Sequence, residues 1–359
     1  MSIEMEKLII SDHEACAITS MVKGPDRKLY IGLTSESHVL YEYDTLTGEF
    51  SDLGPIFPLR TGTNRILDKI HNSLQIDNDT LYIGQGLNID WTNSPYDFDM
   101  RSYGGGHLFS YHIPTGELDD LGVAVPFNAI HGMGLDPAGR FLFGYTIPDN
   151  HFFKFDLESR TATDFGKISA YACHNYVADG RGNAYGAWKK DFPYNEEERL
   201  SGRFVTKGTY LLKYDGESDS LMRTENLIVY GDEHDIFGNI GVDTWLRTSK
   251  GEIYGGTAIT GSVFKVNPDD TVRYVGNPTG SPRLTAMVEG PDGLIYGCGG
   301  FPYMHVFSLD PVTDEMRDFG PISTEGEYCY AHCMVFGDDG YLYAGETDGG
   351  KACLYKIAI

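Results

Sequence analysis

The sequence predicts an all-β chain built from seven repeats of one four-stranded unit, and three observations carry that prediction. Short runs of aromatic and β-branched residues recur along all 359 residues, bounded by Gly, Asp and Pro at near-regular spacing. No long segment shows the 3.6-residue apolar period of a helix. Three stretches can also be laid over one another, and each reads strand, turn, strand, turn, strand. They are "GPDRKLYIGLTSESHVLYEYDTLTGEFSDLGPI" from Gly24, "DPAGRFLFGYTIPDNHFFKFDLESRTATDFGKI" from Asp136 and "GPDGLIYGCGGFPYMHVFSLDPVTDEMRDFGPI" from Gly290.

Weaker copies run through Asp77 to Val123, Asp179 to Leu227, Thr248 to Gly276 and Gly337 to Ile359, which makes seven. A period of roughly 40 to 50 residues is that of a propeller blade, so the expected architecture is a seven-bladed β-propeller, one domain over residues 1–359. The last copy stops after its third strand, "ACLYKIAI", while "KLIIS" near the start is a spare strand. Lys7 to Ser11 is therefore expected to complete the last blade as its outer strand and to close the ring.

The charge balance narrows the partners. With 28 Lys+Arg against 52 Asp+Glu the formal net charge is −24, which repels nucleic acid and anionic membrane at long range. A small anionic substrate stays compatible, because a cluster of Arg and His reverses the field inside one cleft. The start "MSIEMEKLIISDHEACA" carries acids early and only Leu8 to Ile10 as an apolar run, so a cytoplasmic protein is expected. The six cysteines have no CxxC spacing and read as buried thiols.

Labelling the strands of a blade A to D from the axis outward puts the D to A and B to C loops on one face. The four long insertions all fall in those loops: "FPLRTGTNRILDK", "GLNIDWTNSPYDFDMRSYGGG", "KKDFPYNEEERLSGRFVTKG" and "YGDEHDIFG". Loops on a rigid scaffold are where binding is built, so the site is expected on that face. The A-strand entrances open there too, and they align as Thr19, His71 (or Asn72), His131, His174, Asp243, Thr285 and His332. Two residues further in come Met21, Leu74, Met133, Tyr176, Trp245, Met287 and Met334, an apolar layer expected to be core. His107, His151 and His305 share a different position, at the start of strand C, and read as blade packing.

A polar ring of this kind supports two chemistries. Its histidines and Asp243 form a candidate metal set (His71, His131, His174, Asp243, His332), for which imidazole and carboxylate suit Mn, Zn or Fe. Alternatively histidine acts as base or acid near neutral pH, with a tyrosine as partner and arginine neutralising a carboxylate. Both meet in β-elimination from a uronic acid, where a neutralised carboxylate acidifies the adjacent C–H. Candidates for those tasks are His71, His131 and His174; Tyr176 and Tyr145, with Tyr185 and Tyr194 competing; and Arg60, Arg65, Arg203 and Arg283. Trp91, Trp188 and Tyr303 are expected to stack on sugar rings. No GxSxG, P-loop or HExxH motif occurs.

Seven blades, entrance histidines and an Arg in the long insertion of blade four give the chain a resemblance to the seven-bladed propeller polysaccharide lyases. That group includes ulvan and rhamnosyl-glucuronate lyases, with oligogalacturonate lyase a more distant, metal-using relative. The passages are "YGGGHLFSYHIPTGELDDLG", "AIHGMGLDPAGRFLFGYTIPDNHFFKFDLESRTATDFG" and "ACHNYVADGRGNAYGAW". The resemblance implies a lyase acting on small anionic, uronate-containing oligosaccharides. It casts His131, His174, Tyr176 and Arg203 as catalytic. His71, Arg60, Arg65, Trp91, Trp188, Asp243, Arg283, Tyr303 and His332 would bind substrate, with a divalent metal (Mn, Zn or Ca) as an open option. Other readings stay beside it. A lactonase would show more acids at the axis, a streptogramin-type lyase repeated "WFTE"-like strand ends, and a non-enzymatic binding propeller a broad apolar top patch.

Overall fold

Every sheet among the described residues is antiparallel. Seven four-stranded blades, six of them separate sheets and blade one part of a six-stranded sheet, stand around one axis as a β-propeller in the computed structural model, which describes residues 3–10, 15–57, 67–88, 103–169, 172–189, 208–229, 241–324, 326–347 and 351–359. Blade three shows the plan, with Ala129–Leu135, Phe141–Ile147, His151–Asp156 and Thr161–Lys167 following one another outward. The other inner strands are Ala17–Lys23, Leu74–Asp77, Val177–Ala178, Val242–Arg247, Leu284–Glu289 and Ala331–Phe336. The second strands are buried on both faces between neighbouring blades, as in Ala184–Lys189, whereas outer strands such as Thr161–Lys167 are mostly exposed. No described helix is long and apolar enough to cross a membrane.

Closure of the ring follows the expected route with a small shift. Met5–Ile9, two residues earlier than read from the sequence, pairs with Cys353–Ile357 in the register Met5↔Ile357 to Ile9↔Cys353. Blade one carries an addition. Leu67–Lys69 pairs with Lys28–Ser35 on one side and Gly86–Asn88 on the other, tying the segment between blades one and two to both.

One recurring device explains the repeated "D-L/F-G" of the outer strands. Asp120 Oδ1 accepts the Gly122 N–H at 2.8 Å, and Gly122 takes φ +95°, a left-handed conformation that favours glycine. The same carboxylate meets Nδ1 of His107 at 2.9 Å. Asp164, Gly166 and His151 repeat the arrangement, as do Asp318, Gly320 and His305, each across a β-bulge between strands C and D. His38 plays this part with Asp52 in blade one. These histidines latch blade edges, as blade packing requires.

Aromatic side chains fill the spaces between blades. Phe143, Phe152, Tyr176 and Tyr214 interlock between blades three and four, and burying each such ring contributes about 2–3 kcal/mol. The expected apolar layer under the polar ring is indeed buried: Met21, Leu74, Met133, Tyr176, Trp245, Met287 and Met334 all have less than a tenth of their surface exposed.

Candidate active site

Glycines bring the inner strands together at the axis. A Cβ on Gly132 would lie 2.0 Å from the His174 carbonyl oxygen, and one on Gly134 would lie 2.4 Å from that of Tyr176. Only the bare backbone of "HGMGL" can abut blade four this closely, and the contact draws His131 toward His174. Further main-chain bonds fix the other entrances: Asn72 N–H to Thr19 O at 3.2 Å, Met133 N–H to Asn72 O at 2.9 Å and His174 N–H to Val242 O at 3.2 Å. Thr19 and Thr285 serve the same end, their hydroxyls donating to Ile70 O and Ala331 O of the next blades.

Four imidazoles converge as a result. His71, not Asn72, occupies the blade-two position, with its ring centre 3.9 Å from His131, 5.2 Å from His174 and 6.3 Å from His332. His174 and His332 are 5.5 Å apart. Nδ1 of His71 is 2.8 Å from the His131 carbonyl oxygen, so that nitrogen is the protonated donor. Burial pushes the basicity of His71, His131 and His332 well below the ordinary imidazole range. Positive neighbours press in the same direction: Lys69 on all three, and Arg283 on His332. These three rings are neutral at pH 7.

Beside them lies one buried charge relay. His174 brings Nδ1 to 2.7 Å from Asp243 Oδ1, and Arg283 donates Nε–H to Asp243 Oδ2 at 2.8 Å. Burial raises the Asp243 carboxyl, but the facing His174 imidazole, the Arg283 guanidinium and the nearby His332 ring outweigh it and bring the pKa down to about 2. Arg283 reaches further, with Nη2 3.1 Å from His332 Nε2 and its guanidinium over the Tyr330 ring at 5.2 Å. Its backbone is left-handed at φ +70°, held by Arg283 N–H to Ala258 O and Gly300 N–H to Arg283 O. A long side chain in that conformation costs about 1–2 kcal/mol, which the surrounding bonds sustain to aim the guanidinium at the axis.

The structure sorts the expected site residues. His71, His131, His174, Asp243, Arg283 and His332 come together. Tyr176 does not join them: its ring lies flat across Gly186 and against Phe152, inside the core, where burial pushes its hydroxyl well above the ordinary range. Trp188 is also packed away, donating its indole N–H to Thr224 O beside Tyr210. Asp243 is buried, with Oδ1 2.7 Å from Nδ1 of His174 and Oδ2 accepting from Nε of Arg283. Tyr303 is exposed and packs against Tyr328, with ring centres 4.2 Å apart. Tyr185 gives its hydroxyl to Asp270, whereas Tyr145 stands edge-on to His131 at 5.4 Å. Arg60, Arg65, Trp91, Tyr194 and Arg203 lie outside the described residues.

Two residues of the site were missed from the sequence. Tyr330 packs against His332 with ring centres 5.7 Å apart. It precedes its strand, and only its place two residues ahead of an entrance histidine pointed to it. Lys69 acts on the histidines through its charge and is the last residue of an insertion with no motif of its own. Among the described residues His71, His174 and His332 each bring one ring nitrogen within 4.8 Å of the others, which makes them the candidate metal ligands. Three imidazoles suit Zn or Mn rather than Ca, which takes oxygen ligands.

No protein-family model matches the chain, and no curated protein matches it in sequence. Solved structures are similar in fold. Virginiamycin B lyase from Staphylococcus aureus superposes with a TM-score of 0.67 at 11% identity, covering 100% of both chains. A streptogramin B lyase gives 0.63 at 10% identity over 100% of this chain and 99% of the other. The C-terminal WD40 domain of Sif2 gives 0.58 at 11% identity over all of both chains. At these identities the likeness is one of fold.

Proposed function

We propose that the protein is a lyase that cleaves uronate-containing oligosaccharides by β-elimination at the axial histidine cluster. The observation that carries the reading is the His174–Asp243–Arg283 relay. An ionised carboxylate held against Nδ1 fixes the tautomer in which Nε2 of His174 carries the lone pair, and it stabilises the imidazolium formed when that nitrogen takes a proton. The neutral rings of His71, His131 and His332 add no opposing charge.

In the proposed step, Nε2 of His174 removes the proton from the sugar carbon that bears the carboxylate. The electron pair forms the ring double bond, and the bond to the glycosidic oxygen breaks. The same imidazolium returns the proton to the departing oxygen, so a single side chain serves as base and then acid. Arg283 and Lys69 supply the positive field that a substrate carboxylate meets at the axis. Fold likeness to virginiamycin B lyase agrees with a propeller serving a lyase and carries no substrate information.

Ultraviolet absorbance of newly formed unsaturated uronate, with purified protein on a panel of uronic-acid oligosaccharides, tests the reading. Growth of the band with wild type and its loss in His174→Ala is the expected result. A flat trace across the panel overturns it. A second reading, metal-dependent opening of a lactone, draws on the three convergent ring nitrogens, and it gives acid release without the absorbing product.

A further inference from the structure

We propose that His71, His174 and His332 bind one divalent transition-metal ion, of the zinc class, on the propeller axis. The inference goes beyond the lyase reading and meets it at one atom: a metal on Nε2 of His174 takes the lone pair that the proposed elimination uses, so the metal-free chain is the one that would follow that route. Three blades, two, four and seven, each give one imidazole, and one nitrogen of each falls within 4.8 Å of the other two.

The spacing of the rings matches shared coordination. A metal about 2.0–2.1 Å from a ring nitrogen lies roughly 3.2 Å from the ring centre, so tetrahedral ligands have ring centres roughly 5 Å apart. The pairs His71–His174 and His174–His332 measure 5.2 and 5.5 Å, and His71–His332 is wider at 6.3 Å. The planes are inclined by 42°, 75° and 67°, as rings radiating from one point are, not as stacked neighbours. His131 differs. Its ring packs on that of His71 at 3.9 Å with the planes only 33° apart, which takes it out of the set.

Outer partners complete the pattern. A ligating histidine commonly donates its second ring N–H to a carboxylate or a main-chain carbonyl, which sets the tautomer and aims the other nitrogen. His174 has Asp243 at 2.7 Å in that role, and His71 has the His131 carbonyl at 2.8 Å. His332 instead has its Nε2 3.1 Å from Arg283 Nη2, a contact that a metal at that nitrogen displaces. All-imidazole donors select Zn²⁺ or Co²⁺ over the oxygen-seeking Ca²⁺.

Metal binding to chelator-stripped full-length protein tests the site without any substrate. Zn²⁺ is titrated in competition with a chromophoric chelator, and Co²⁺ is followed by its visible absorption bands. One equivalent per chain is expected, weakened about 100-fold or more in His71→Asn and in His332→Asn, and about 10- to 100-fold in Asp243→Asn. His131→Asn, which keeps the main-chain carbonyl, is expected to bind within a few-fold of wild type. Circular dichroism confirms that each variant is folded, and only folded variants are scored. Absence of stoichiometric binding in the wild type overturns the proposal, as does an equal loss in His131→Asn and His332→Asn. A chain that binds zinc yet, stripped of it, leaves every uronate intact keeps this site and loses the lyase reading; an active lyase with no zinc binding does the reverse.

Discussion

Removing either member of the Asp243–Arg283 pair should cost at least as much as removing both. Asp243 is 2% exposed and bridges Nε of Arg283 at 2.8 Å and Nδ1 of His174 at 2.7 Å. Breaking a buried pair by deleting one partner leaves an uncompensated charge and costs about 3–5 kcal/mol. Arg283 retains 11% exposure and the face of Tyr330, so Asp243→Asn belongs near the lower end, about 3 kcal/mol. Asparagine still offers an oxygen to His174, which isolates the charge effect. Arg283→Met leaves the carboxylate buried with only His174 beside it, at about 3–4 kcal/mol, and keeps a Cβ, so the backbone strain is unchanged. The double variant has no stranded charge and should cost about 2–3 kcal/mol, a coupling of about 3–4 kcal/mol. Urea unfolding at pH 7.5, followed by circular dichroism at low and high salt, reads these values, and a buried pair should respond little to salt. Costs that add to within about 0.5 kcal/mol would refute the reasoning.

Acid should drain stability from the same region. His71, His131 and His332 have folded basicities below the unfolded value, so below about pH 6.5 the unfolded chain takes up protons that the folded chain refuses. Stability is then full above about pH 6.5 and falls with pH by up to about 1.4 kcal/mol per unit for each histidine, while the Asp243 contribution is full above about pH 5 and is lost as pH falls from there through the folded pKa of about 2. Urea midpoints in chelator from pH 7.5 to 5.5 check this, and His332→Asn should remove about a third of the slope. Gly132→Ala should force blades three and four apart, destabilising by more than about 2 kcal/mol and lowering uronate turnover if His131 and His174 work together. Tyr176→Phe, which deletes a hydroxyl inside the core, should leave turnover within about twofold of wild type in the absorbance assay, with a stability change of about 1 kcal/mol or less.

The architecture was legible because propeller blades write their turns into the sequence. "GPDR", "DPAG" and "GPDG" mark the same A to B corner, and the Asp-Leu/Phe-Gly of four outer strands carries a glycine N–H hydrogen-bonded to its Asp. The entrance histidines could be aligned for the same reason, and aligned positions in a ring must face one axis. Side-chain roles were less legible. Tyr176 and Trp188 lie close in sequence to the site, but strand alternation and the bare surface of Gly186 turn them into the space between blades. Arg283 seemed one of several interchangeable loop arginines. Its left-handed backbone and its reach to Asp243, which only three-dimensional pairing reveals, set it apart.

The seam of the ring has a consequence for biosynthesis. Met5–Ile9 leaves the ribosome before all the inner strands, and its partner Cys353–Ile357 leaves only after them. Until then Ile18, Ile31 and Tyr43 of blade one wait for the Val335, Tyr343 and Leu354 that cover them in the folded ring. Contacts of such sequence separation form late, and the half-built disc presents an apolar flank to other nascent chains. A ribosome that stalls before Cys353 would therefore release a protein lacking its clasp, with two greasy blade faces uncovered, rather than a propeller short of one peripheral strand.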